Sequence, residues 1–310
     1  MDLSVNLPRG LRLKNPIIAA SGTFGFGPEY AAYVDLNQLG GISVKGISPK
    51  PWRGNPPPRV WETPAGLLNS IGLQNPGLAT FIEEDIPFLA SVDTAVIANI
   101  IGHTVEEYRQ VAERLSQEER IDAFEVNISC PNVKEGGISF GHDPRQAFLV
   151  TQAVRSVTEK PVMVKVSPNM AEPWVVAQAA VDAGADMISA INTLVGMAID
   201  LKRRRPALGG VTGGLSGPAV KPVALRVVYE IASRVSVPVI GMGGIESAED
   251  VLEFFLAGAR AVMVGTVTFQ YPERMLSIIE EIPKVWRRYG FQDLPEAVGA
   301  AHLDKEGEPG

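Results

Sequence analysis

Short apolar runs recur along the chain, and most are followed by a stretch whose apolar residues repeat every three to four positions. The runs predict strands at Pro16–Ala20, Gly41–Ile47, Thr94–Ile100, Ala123–Ser129, Pro161–Val166, Met187–Asn192, Pro238–Gly241 and Ala261–Val264. They are nearly continuous in Val, Ile and Ala rather than alternating, as parallel strands buried on both faces require. The periodic stretches carry helix start signals. Thr104 and Glu107 read as a capping box before a run through Leu115. Asp143-Pro144 reads as an N-cap with proline at the first helical position. Ser247 with Asp250 opens a helix that stops near Ala257-Gly258, and Pro173–Ala183, Pro222–Val235 and Pro272–Tyr289 complete the clear helices.

Strands alternating with helices over this length predict an α/β protein, a single (β/α)8 TIM barrel domain over residues 1–310. A doubly wound open sheet is the alternative. Such a sheet declares a G-x-G-x-x-G turn after its first strand, and Ser21-Gly22-Thr23-Phe24-Gly25-Phe26-Gly27 lacks that spacing. Two connections exceed simple loops, a proline-rich one over 48–76 after strand two and a glycine-rich one over 194–221 after strand six. Long ordered insertions in barrels serve as lids or binding loops, so both are expected near an active site.

Composition narrows the function classes. Of 310 residues, 45% are hydrophobic and 20% charged, with a net charge of −7 and a pI near 5.2. A nucleic-acid binder would show a basic face, and the one basic cluster, Lys202-Arg203-Arg204-Arg205, is too short to make one. No apolar stretch reaches the roughly 18 residues of a membrane span. The N-terminal residues lack the basic start and apolar core of a signal peptide, so a cytoplasmic location is expected. His103, His142 and His302 are scattered without metal-ligand spacing, so no metal site is expected. The single cysteine, Cys130, has no internal disulfide partner.

In a barrel the active site forms at the C-terminal strand ends. Those ends carry Ser21, Lys45, Asn99, Asn127, Lys165 and Asn192, then Gly243-Gly244 and Gly265-Thr266 after strands seven and eight. Polar ends suit a large polar ligand. Glycine turns after strands seven and eight, backed by helix N-termini, suit a phosphate; the alternative is plain tight turns. Lys45 and Lys165 each face an anion or are neutral, because a buried lysine without a partner is costly. They serve either as electrostatic support for an electron-rich ring or carboxylate, or as a Schiff-base amine. Cys130 sits among amides and a hydroxyl in Asn127-Ile128-Ser129-Cys130-Pro131-Asn132, either as a reacting thiol or as a small buried hydrophobe. Asn69-Ser70-Ile71-Gly72-Leu73-Gln74-Asn75-Pro76-Gly77 lies in the first insertion, as a holder for a small planar polar ligand or as a turn. Glu125 and Asp186, near strand interiors or starts, read as structural.

From Leu13-Lys14-Asn15-Pro16 to Gly265-Thr266 the chain resembles the class 1 dihydroorotate dehydrogenases, flavin enzymes of pyrimidine synthesis. The resemblance is carried by Asn69–Gly77, by Asn127–Asn132 with Gly136-Gly137, by Asn192-Thr193 and by Gly241–Gly244. Asn192-Thr193-Leu194 and Gly196-Met197-Ala198-Ile199-Asp200 are most similar to the class 1B catalytic subunit. The resemblance implies FMN held by Ser21, Lys45, Gly46, Asn99, Asn127, Lys165, Ile191, Gly217, Gly243, Gly244, Gly265 and Thr266. It implies dihydroorotate held by Lys45, Asn69, Ser70, Ile71, Gly72, Leu73, Asn127, Asn132, Asn192 and Thr193. Hydride would pass from substrate C6 to flavin N5 while Cys130, as base, takes a proton from C5 to give orotate. Class 1B further implies a partner subunit carrying FAD and a [2Fe-2S] cluster that passes electrons to NAD+, with a homodimer of this chain inside a heterotetramer. A chain with one cysteine cannot ligate such a cluster alone. Other readings are a fumarate-linked class 1A homodimer, a flavin-free Schiff-base lyase using Lys165, and a silent scaffold.

Overall fold

The computed structural model describes residues 1–128 and 141–302. At its centre eight parallel strands close into a barrel. They are β1 (Ile17–Ala19), β2 (Gly41–Ser43), β3 (Ala95–Ile100), β4 (Ala123–Asn127), β5 (Val162–Val166), β6 (Met187–Ala190), β7 (Val239–Met242) and β8 (Ala259–Val264). Each pairs with the next in sequence, and β8 returns to β1 through Val262↔Ile17 to close the ring. The expected (β/α)8 barrel is therefore present. Every residue of β3, β4 and β5 is buried, which is why their runs read as continuously apolar.

Several boundaries differ from the sequence reading, for local reasons. β2 stops at Ser43 rather than Ile47 because the Lys45 amide donates to Gly25 O (2.9 Å) instead of to the ladder. Ile47 rejoins the barrel only through an isolated bridge to Ile100. β6 stops at Ala190, although the Asn192 amide still reaches Val166 O (3.0 Å). β8 starts at Ala259, two residues before the apolar run, because exposed Arg260 interrupts the pattern but not the strand.

Around the barrel lie α1 (Val105–Ser116), α2 (Pro144–Arg155), α3 (Pro173–Asp182), α4 (Lys221–Ala232), α5 (Ala248–Leu256) and α6 (Arg274–Arg288). Asp143 caps α2 by accepting from the Arg145 amide (2.9 Å). Ser247 and Asp250 form a full capping box on α5. The box expected at α1 is only half formed. Thr104 Oγ1 accepts from the Glu107 amide (3.2 Å), but the Glu107 carboxylate takes the His103 amide (2.6 Å) instead of Thr104's own. Each helix buries one stripe; that of α1 is Tyr108, Val111, Ala112 and Leu115. Full burial of such side chains contributes roughly 1.5–3 kcal/mol each.

The two insertions meet. Val60–Thr63 and Gly66–Asn69 form a hairpin, and Gly213–Ser216 pairs with its second strand and with Leu194–Gly196. The result is a four-stranded antiparallel sheet over the C-terminal end of the barrel. A second hairpin, Val5–Asn6 with Arg12–Leu13, lies at the N-terminus and buries Leu13 completely.

Candidate active site

One cavity of about 650 Å³ opens between the strand ends and the inserted sheet. Ser21, Lys45, Gly46, Asn99, Asn127 and Lys165 line one part of it, and Ile191, Gly217, Gly243, Gly244, Gly265 and Thr266 line the rest. Asn69, Ile71, Gly72, Leu73, Asn192 and Thr193 complete the wall on the insertion side. The fold thus gathers into one cavity residues that lie far apart in the sequence. Ser70 does not line it. It is buried at 1% exposure, and its hydroxyl accepts from Asn55 Nδ2 (2.9 Å) behind the wall. Cys130 and Asn132, with Ser129, Gly136 and Gly137, fall outside the described residues.

The floor of the cavity is built on a charged network. Glu125 points into the barrel from the middle of β4 and is fully buried. Its Oε2 accepts from Asn99 Nδ2 (2.6 Å), Ser43 Oγ (2.8 Å) and Ser21 Oγ (3.1 Å). Its Oε1 accepts from Ser189 Oγ (2.9 Å) and lies 3.9 Å from Lys165 Nζ. Lys165 in turn donates to Ser21 Oγ (3.2 Å). Burial pushes the Glu125 pKa up, but the Lys165 charge and the bonds from Asn99, Ser43 and Ser189 outweigh it and hold the carboxyl below its usual range. Polar side chains occupy this layer, where barrels usually place branched aliphatics. The sequence reading took Glu125 as structural. Its partners come from four other strands and the loop after β1, which no local pattern discloses.

Lys45 is the second cation. Burial pulls its pKa down, Glu29 partly restores it, and Arg59 adds to the depression. Asn192 donates to Asn127 Oδ1 (3.4 Å), and its own Oδ1 accepts from the Thr193 amide (2.7 Å). Asn169, which the sequence did not single out, holds this corner. It donates to Thr193 O (3.0 Å) and accepts from the Val195 amide (2.9 Å), tying the loop after β5 to the inserted sheet.

The opposite end is made of backbone. Gly244 has φ +74°, and a Cβ there would sit 2.8 Å from Gly217 O. Gly217 has φ +96°, and its Cβ would sit 2.7 Å from Gly66 Cα. Only glycine permits both conformations and both approaches. The helix N-terminus behind this loop is partly occupied by its own cap: Asp250 accepts from the Glu246 and Ser247 amides (2.8 and 2.9 Å), and Ser247 Oγ accepts from the Asp250 amide (3.1 Å). Lys221 is committed to Asp250 and Glu253 (2.6 and 2.9 Å). The turns Gly243-Gly244 and Gly265-Thr266 remain to receive an anion. Glu62, Leu215, Ser216, Glu246 and Phe269 also line the cavity and were not found from sequence. Among the described residues no cluster of three or more His, Cys, Asp or Glu could hold a metal, and no helix is long and apolar enough to cross a membrane.

A family model for dihydroorotate dehydrogenase matches residues 2–286. The chain belongs to the dihydroorotate dehydrogenase family. It is 52% identical to a protein of Thermoanaerobacter pseudethanolicus over 98% of this chain and 100% of that one. It is 55% identical to one of Bacillus pumilus over 96% of each. Both are named dihydroorotate dehydrogenase B (NAD(+)), catalytic subunit. A solved Eimeria tenella dihydroorotate dehydrogenase in complex with ferulenol has a TM-score of 0.80 at 23% identity, covering 98% of this chain and 89% of that one. That likeness supports the barrel fold.

Proposed function

We propose that the chain is the catalytic subunit of an NAD+-linked dihydroorotate dehydrogenase and oxidises (S)-dihydroorotate to orotate in pyrimidine biosynthesis. One observation carries the reading. A member of this family, over half identical along its length to B-type catalytic subunits, gathers two lysines, four asparagines and two glycine turns into a single cavity. A cytoplasmic location is part of the same reading.

The cavity fits FMN. A ligand with a phosphate at one end and an electron-rich ring at the other meets glycine amides at the Gly243-Gly244 end and the Lys165 ammonium at the floor. A side chain at Gly244 would collide with Gly217 O and the Lys221 backbone, so the shape of this turn depends on glycine. Ser21, Lys45, Gly46, Asn99, Asn127, Lys165, Ile191, Gly217, Gly243, Gly244, Gly265 and Thr266 would hold it. When bound, FMN supplies the two-electron acceptor for the hydride that leaves substrate C6.

The remaining chemistry belongs to this chain. Asn69, Asn127, Asn192 and Thr193 offer amide and hydroxyl groups that pair with both donors and acceptors of a pyrimidine ring. Lys45 places positive charge against the substrate carboxylate. Leu67, Asn69, Gly214, Leu215 and Ser216 of the inserted sheet line the cavity and would cover a ring bound there. The sequence resemblance supports Cys130 as the base that takes the C5 proton as thiolate, with Asn132 beside the substrate. Electrons then leave through a partner subunit carrying FAD and [2Fe-2S].

The test is anaerobic addition of dihydroorotate to the purified, FMN-loaded chain. A yellow protein that bleaches supports the reading; a chain that takes up no FMN, or stays yellow, overturns it. Rapid reoxidation of the bleached chain by fumarate would replace the NAD+-linked class with the fumarate-linked one.

A further inference from the structure

We propose that Glu125 is a positioning residue that acts through Lys165, compensating its charge and thereby setting the electron affinity of a flavin bound in the cavity; this rests on the flavin reading. Glu125 does not line the cavity, whereas Ser21, Asn99 and Lys165 do. Each of those three contacts its carboxylate, by hydrogen bonds from Ser21 (3.1 Å) and Asn99 (2.6 Å) and by the ion pair with Lys165 (3.9 Å).

A buried carboxylate in a barrel core is costly and is retained only where its bonds are complete. Here Oε2 takes three donors, and Oε1 takes the Ser189 hydroxyl and faces the ammonium. Ser43 and Ser189 are themselves fully buried and do not line the cavity, so their hydroxyls serve the carboxylate rather than a ligand. The carboxylate thus clamps cavity-facing groups from three separate elements. Its negative charge lies behind the Lys165 ammonium and offsets part of the field that a ligand receives. A reduced flavin carries added negative charge, so that offset lowers its stability relative to the oxidised form.

The test is the midpoint potential of bound FMN in the wild type, Glu125→Gln, Lys165→Met and the double variant, with FMN affinity and melting temperature recorded on each. Gln is isosteric; it removes the charge and turns one acceptor oxygen into an NH2 donor, which the Ser189 hydroxyl can meet by accepting at the Oε1 position. Glu125→Gln is expected to raise the potential. The ratio of reduced to oxidised FMN affinity should rise about tenfold, ~30 mV for a two-electron couple. In the Lys165→Met background the same change should alter that ratio less than about twofold, because no ammonium is left for the carboxylate to compensate. An unchanged or lowered potential in Glu125→Gln, or an equal shift in both backgrounds, overturns the inference. If Glu125→Gln does not fold, Ser43→Ala and Ser189→Ala replace it. Each removes, from outside the cavity, a hydroxyl dipole that partly neutralises the carboxylate, and a fall of smaller size is expected. No shift in either overturns the inference. A wild type that binds no FMN instead removes the flavin reading itself.

Discussion

The two ends of the cavity are made of different material. At the floor, hydroxyl, amide and ammonium side chains from four strands and the loop after β1 converge on Glu125. At the glycine end the backbone does the work, and the nearby cation, Lys221, is already spent on Asp250 and Glu253. Side-chain charge can stabilise one redox or protonation state over another. Backbone amides held by glycine conformations fix shape and position and leave those states nearly equal. The comparison teaches that anchoring and reactivity are assigned to separate ends, so substitutions should separate them too.

The largest effect is expected where shape fails. Gly244→Val forces a branched side chain into φ +74° with a carbonyl 2.8 Å from its Cβ. The chain should purify colourless, with FMN affinity down at least about 100-fold, near 2.7 kcal/mol. A fluorescence titration with FMN checks this, and retained affinity would break the anchoring role. Next comes the base. Cys130→Ser should keep its flavin but be reduced by dihydroorotate on the order of 100–10,000-fold more slowly at neutral pH. In the wild type the reduction rate should climb with pH toward the thiol range, near a pKa of about 8.5. Stopped-flow bleaching across pH reads both, and wild-type speed in the serine variant removes Cys130 from the role.

These expectations were unevenly legible in the sequence. The barrel strands were legible because burial on both faces leaves an unbroken apolar run, as in Ala95–Ile100. The strand-end positions followed from the fold. The inserted sheet was not legible. Its strands are short and half exposed, as in Val60–Thr63, and its pairings join positions as distant as Asn69 and Gly214. Glu125 could be located but not read, because its meaning comes from Ser43, Asn99, Lys165 and Ser189 on other strands. The self-capped start of α5 was half legible. Ser247 and Asp250 were recognised as a cap, yet not as competitors for the amides an anion would need.

Two smaller effects sharpen the comparison. The Glu125 carboxyl is held below its usual range in the folded chain. A depressed folded pKa contributes stability that is present above the unfolded value, about 4.3, and is lost as pH falls through the folded value. The wild type should therefore lose more melting temperature than Glu125→Gln on acidification below roughly pH 5, and parallel acid curves would count against the network. Thr104→Ala removes the cap bond to the Glu107 amide, and Thr104 does not line the cavity. It should cost about 1 kcal/mol of stability and leave FMN affinity unchanged.

The most direct measurement takes FMN affinity and the rate of anaerobic bleaching by dihydroorotate on the same preparations of the wild type, Gly244→Ala and Lys165→Met. The division of labour predicts that Gly244→Ala weakens FMN binding yet bleaches normally once saturated, while Lys165→Met holds FMN within about tenfold of the wild type and bleaches at least about 100-fold more slowly. Loss of affinity and rate together in both variants would contradict it.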